Sequence, residues 1–159
     1  MPAPVASGPE RPTSPFSYAI LRVVPSVERG ERLNVGVVLF CRQRGFLGAR
    51  FALDESRLRA LAPGLAASDV AGHLEALSRV SEGAAGAGPI AQLPPSERFG
   101  WLAAPSSTIV QASEVHTGLS EDPAATLDGL FTRLVAAAGP CRGRCEPGAP
   151  RSASTRPPW

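Results

Sequence analysis

The sequence predicts an α+β fold: a single mainly antiparallel sheet of about five strands, helices packed on one face, and disordered tails. Three observations carry this. Apolar residues alternate at period two in the first third of the chain and again near residue 110, and they recur at helical spacing elsewhere. The resulting order is β-β-β-α-α-β-β-α, whose first three strands are joined by short links that favour antiparallel neighbours. Glycine and proline, 16 and 17 of the 159 residues, concentrate in 1–15, 83–95 and 139–159, leaving ordinary usage elsewhere. The expected organisation is therefore a Pro-rich tail at 1–15, one domain at 16–138 with a flexible Gly/Pro/Ala loop at 83–95, and an Arg/Pro-rich tail at 139–159.

The first strand is FSYAILRVV (16–24), with Tyr18, Ile20, Arg22 and Val24 on one face, ended by Pro25. After the polar SVERGER, LNVGVVLFC (33–41) forms a second strand. Strict alternation places Leu33, Val35, Val37, Leu39 and Cys41 on an apolar face, and Asn34, Gly36, Val38 and Phe40 on the other. RQRG supplies the turn into FLGARFAL (46–53). DESRLRALAPG opens on an acidic turn and stops at Pro63-Gly64, a short helix. Val70, Leu74 and Leu77 make an amphipathic stripe over 68–80. Beyond the loop, RFGWLAA (98–104) and TIVQAS (108–113) read as strands, with Trp101 expected in the core. Asp122-Pro123 is an N-cap and N1 pair opening a helix whose Leu127, Leu130, Phe131 and Leu134 share a face.

Composition excludes several classes. The longest strongly apolar run, Val35 to Cys41, is far short of the roughly 18–20 residues that span a bilayer. The N-terminal stretch has no apolar segment of the secretory kind. All 16 basic residues are Arg, a bias that accompanies abundant Ala, Gly and Pro in G/C-rich coding and is not itself a sign of nucleic-acid binding. The core is close to neutral, so nucleic-acid binding rests on the basic C-terminal tail and is the weakest reading. Cys41 reads as a small buried hydrophobe. Cys141 and Cys145 lack the further ligands that zinc requires, so no metal or cofactor is expected. The odd cysteine count points to a reducing, cytoplasmic setting.

Two polar clusters are candidate ligand sites. In RGERLNVG (29–36), Glu31 and Asn34 lie at a loop-to-strand junction, and Gly36 marks close approach of backbone, helix or ligand. In 98–118, Arg98 is suited to an anion, Ser106, Ser107 and Thr108 cluster hydroxyls at a turn, and His116 and Thr117 precede the last helix. Each has a purely structural alternative in turn and cap formation. Phosphate-loop, dinucleotide, nucleophile-elbow and zinc-protease patterns are missing. A triad drawn from Ser106, His116 and Glu31 carries little information, because Ser and acidic residues are plentiful.

YAILRVVPSVERGERLNVGVVLF (18–40) and RFGWLAAPSSTIVQASEVHTGLSEDP (98–123) resemble the bacterial domain of unknown function 3037 family. The resemblance implies no activity, cofactor or catalytic residue. It does imply an accessory role, with a kinase-like protein of the HipA type as partner. The leading expectation is thus a non-enzymatic binding or accessory module for a protein partner or a small anionic ligand. The alternative is an enzyme acting on a phosphate-containing substrate, with Arg98 holding charge and His116 or Glu31 moving protons. Both place Arg98 with Glu31 or Asn34 at one sheet edge, tips within about 10 Å, one Debye length at 0.1 M salt.

Overall fold

The computed structural model describes residues 11–136. Strands β1 (Ser14–Ser26), β2 (Glu31–Cys41) and β3 (Phe46–Phe51) form the expected meander. Helices α1 (Glu55–Leu61) and α2 (Ala67–Glu82) follow. After a short 3-10 turn at Ile90–Gln92 come helix α3 (Pro95–Leu102), strands β4 (Val110–Ala112) and β5 (His116–Ser120), and helix α4 (Pro123–Phe131). A widened, π-type turn extends α4 over Thr132–Ala136. All five strands join one antiparallel sheet in the order β3-β2-β1, with β4 and β5 successively lining the far edge of β1. The α+β class and the single antiparallel sheet are as the sequence predicts.

One local irregularity decides which side chains share a face. Leu21 pairs with Gly36 but Arg22 pairs with Asn34, so Val35 is an extra residue, a β-bulge in β2. Cross-strand partners point to the same side, so Leu33, Val35, Gly36, Val38 and Phe40 face one way with Ala19, Leu21 and Val23. Asn34 instead joins Val37, Leu39 and Cys41 on the other side with Tyr18, Ile20 and Arg22. The expected alternation, with Asn34 and Gly36 together, is corrected at this point. The close approach at Gly36 is made by the neighbouring strand: a Cβ there would sit 2.6 Å from the Phe51 ring and 3.0 Å from the Arg50 carbonyl.

Both faces carry helices, where one was expected. Leu58 of α1, Val70, Leu74 and Val80 of α2, and Phe99 and Leu102 of α3 pack on the Leu21–Val38 side. Leu127 and Leu130 of α4, with Val135, pack on the Val37–Leu39–Cys41 side. Cys41 is fully buried, its thiol directed at the Pro15 carbonyl. The sequence readings of α1, α2 and α4 hold, including the Asp122 cap, whose carboxylate accepts from the Ala124 and Ala125 amides.

Residues 98–104 are not a strand. Pro95 occupies the first helical position, where its missing N–H costs nothing, and the helix runs through RFGWL. Helical spacing buries Phe99 and Leu102 and turns Trp101 outward, leaving it 46% exposed where core burial was expected. The fifth strand is instead HTGLS, a segment expected only to lead into the last helix. The 83–95 stretch, expected as loop, buries Ala91 in its 3-10 turn. Cys141, Cys145 and the tail beyond 139, like most of the 1–15 tail, lie outside the described residues.

Strands β4 and β5 act as one strand broken at Ser113. Across the break, the Ser113 amide donates to the Ile20 carbonyl at 2.8 Å, and its hydroxyl accepts from the Ile20 amide at 2.9 Å while donating to the Glu114 carbonyl at 2.8 Å. A side chain thus completes the hydrogen bonding of the central strand. Ser113→Ala is expected to leave the Ile20 N–H unpaired and to cost about 1–3 kcal/mol in denaturant melts, with faster amide exchange at Ile20. Gly36→Ala, which drives a methyl into Phe51, is expected to cost about 1–3 kcal/mol by the same measurement.

Asp54 caps α1, its carboxylate accepting from the Ser56 hydroxyl at 2.6 Å and amide at 3.0 Å, and from the Arg57 amide at 3.1 Å. The Ser56 hydroxyl foremost, then the Arg57 amide, hold this carboxyl below its ordinary value of 3.8. A depressed carboxyl stabilises the fold fully above its unfolded value and loses that contribution as pH falls through the folded one. On acidification below 3.8, the Ser56 and Arg57 amide shifts should therefore move together, and Asp54→Asn should abolish that titration.

Candidate functional site

Helix α4 lies over β2 and β3, so the β1–β4–β5 half of its face is only partly covered among the described residues. The side chains in that half are Tyr18, Ile20 and Arg22 from β1, Gln111 from β4 and His116 from β5. Cross-strand pairing sets Asn34, Arg22 and Gln111 in one row across three strands. Opposed Cβ atoms in such a row are about 5 Å apart.

Each member of the row is held differently. Asn34 donates its Nδ2 to the Leu134 carbonyl at 3.0 Å, tying the end of the α4 extension to β2. Gln111 donates its Nε2 to the Thr108 carbonyl at 3.2 Å. Arg22 lies between them, with its Nε buried and no hydrogen-bond partner among the described residues. The two ion pairs found there, Arg29–Glu31 at 2.7 Å and Arg50–Asp128 at 3.0 Å, do not involve it. The row therefore sets a guanidinium between two fixed amides, with no ion pair to it among the described residues. Beside Asn34 opens a hollow of about 220 Å³, with Asp54 and Arg57 on its farther wall.

The structure disperses the cluster expected from sequence. Glu31 pairs with Arg29 in the β1–β2 hairpin. Arg98 is on the opposite side of the sheet from Asn34, donating Nη1 to the Ser81 carbonyl at 2.8 Å and the Val80 carbonyl at 3.3 Å. There it caps the C-terminus of α2, where a cation complements the helix dipole. The expected Arg98 meeting with Glu31 or Asn34 is corrected: each is committed to a different element. Ser106 and Thr108 do come together, their hydroxyls 3.0 Å apart and both directed at the Val110 carbonyl. Ser107 is exposed beside them. His116 is exposed and packs against Tyr18, ring centroids 5.1 Å apart and planes tilted by 32°, on the Asn34 side. Thr117 is exposed on the other side, paired with Ser17. Arg98 and His116 thus lie on opposite faces of the sheet.

Arg22 and Gln111 were not among the sequence candidates. A signal for Arg22 was present: period two in YAILRVV places an arginine in line with Tyr18 and Ile20, within a strand long enough to be central. A charged residue there needs a partner or a ligand. Gln111 had no comparable signal, because its place in the row depends on which strand β4 joins.

A family model described as protein of unknown function (DUF3037) matches residues 18–135. No curated protein and no solved structure matches the chain. The matched span begins at Tyr18 and ends at Val135, enclosing the whole sheet half just described, and the chain belongs to this DUF3037 family.

Proposed function

We propose that the domain is a non-catalytic binding module that recognises an anionic group at the Asn34–Arg22–Gln111 row. The observation that supports this is the chemistry of the row itself. It holds one permanent positive charge and two neutral amides, and none of the three exchanges a proton near neutral pH or acts as a nucleophile. Tyr18 and His116, titratable groups on the same face, are four residues away along β1. At ~3.4 Å per residue that is about 14 Å, beyond the reach of a proton transfer at Arg22.

The guanidinium fork suits a carboxylate or phosphate oxygen pair, and the flanking amides fix its orientation. A free anion and an acidic side chain or phosphate on a partner protein offer the same chemistry. The accessory role implied by the family makes a neighbouring kinase-like protein of the HipA type the first partner to test. Binding to nucleic acid through 139–159 would be a separate, salt-sensitive property of the tail.

Two measurements distinguish the sources: calorimetric titration with phosphate and with acetate, and co-purification of the tagged full chain with the neighbouring gene product. Arg22→Gln is expected to weaken whichever interaction is found by about 10-fold or more, the worth of a charge-assisted hydrogen bond. Arg22→Lys is expected to recover only part of it. Unchanged binding by a folded Arg22→Gln protein sinks the assignment.

A further inference from the structure

On the other side of the sheet, α2, the end of α3 and β4 line a solvent-open cavity of about 300 Å³. Its space exists because Ala76 of α2 and Ala112 of β4 are small, and Trp101 forms one wall. The outward turn of Trp101 thus has a structural counterpart: a half-exposed indole beside an apolar hollow. The volume is about twice that of an engineered apolar cavity that admits benzene, so it suits a two-ring molecule.

The polar groups lining this cavity are His73, Ser106, Thr108 and the Trp101 indole N–H, and the hydrogens of the first three are already committed. Thr108 donates to the Val110 carbonyl at 2.7 Å. The Ser106 hydroxyl has the same carbonyl at 3.3 Å and Thr108 Oγ1 at 3.0 Å as acceptors, so its single proton is also used within the loop. His73 Nδ1 lies 2.9 Å from the Asp69 carbonyl. A carbonyl only accepts, so in the neutral ring Nδ1 carries the hydrogen and Nε2 is left as an acceptor. Apart from the half-exposed Trp101 indole N–H, the lining side chains therefore offer lone pairs.

We infer that this cavity is a binding site for an uncharged, planar, two-ring aromatic molecule that carries a hydrogen-bond donor. The apolar walls and Trp101 take the ring faces, and the donor pairs with His73 Nε2 or the loop hydroxyl oxygens. This site is independent of the Arg22 row: its ligand is neutral, and it lies across the sheet.

The test uses indole and 1-methylindole as probes, titrated into ¹⁵N-labelled full-length protein and followed by amide shifts. Indole should bind saturably, shifting Ala76, Thr108 and Ala112, and 1-methylindole should bind about fivefold more weakly, the worth of one neutral hydrogen bond. Ala76→Leu, a substitution at an exposed helical position that fills the cavity, should abolish both titrations without lowering the melting temperature. His73→Phe should weaken indole and leave 1-methylindole unchanged. Should His73→Phe fail to fold, the Ala76→Leu comparison still decides. Equal affinity for the two probes, shifts centred elsewhere, or binding that survives Ala76→Leu would overturn the inference.

Discussion

The extra residue at Val35 is the constraint on which the arrangement of side chains depends. Without it, strict alternation would put Asn34 and Gly36 on one face and Val35 and Val37 on the other. With it, Val35 and Gly36 point to the same side, Val35 against α1 and α2 and Gly36 against Phe51, and Asn34 crosses to the side of Arg22. The bulge is tolerated because Gly36 follows it. Phe51 lies where a Cβ would project, covering the glycine from the neighbouring strand. An aromatic ring over a glycine restores packing that the missing side chain gives up.

The second constraint is the completion of β1. A strand of this length buried between neighbours must satisfy its amides on both edges. β2 serves one edge, and β4 with β5 serve the other, but their junction kinks at Ser113. The hydroxyl fills the gap at Ile20 and allows β5 to continue as far as Ser120. That continuation carries His116 beside Tyr18 and brings Asp122 to the point where α4 begins. The break at Ser113 and the bulge at Val35 flank β1 on opposite edges, near its middle.

What could be read in the sequence was whatever depended on local periodicity. The three-strand meander, the α2 stripe and the Asp122-Pro123 helix start are each specified by residues within one element. RFGWLAA was misread because its alternation of aromatic and small residues imitates a strand, and because Pro94-Pro95 looks like linker until the helix behind it is seen. The candidate site fared worse for a related reason. Arg98 and Glu31 are suited to anions and protons by type, but type does not reveal that a helix end and a nearby arginine have already claimed them. The Asn34–Arg22–Gln111 row needs three strands in register and a bulge in one of them. No window of sequence contains that information.

Leu21 and Arg22 show how closely the two faces are linked. They are consecutive in β1, yet Leu21 lines the floor of the apolar cavity and Arg22 occupies the polar row. Their partners alternate in the same way: Ala112 lies opposite Leu21 in the cavity, and Gln111 opposite Arg22 in the row. A slip of β4 by one residue against β1 would exchange the faces of β4, placing the Gln111 amide on the cavity side and an apolar neighbour in the polar row. The register is set against that slip by Ser113, whose hydrogen bonds reach Ile20 from one position only, and by the core side chains Val23 and Val110, which must meet the helices. One set of restraints therefore holds a polar row on one side of the sheet and an apolar cavity on the other.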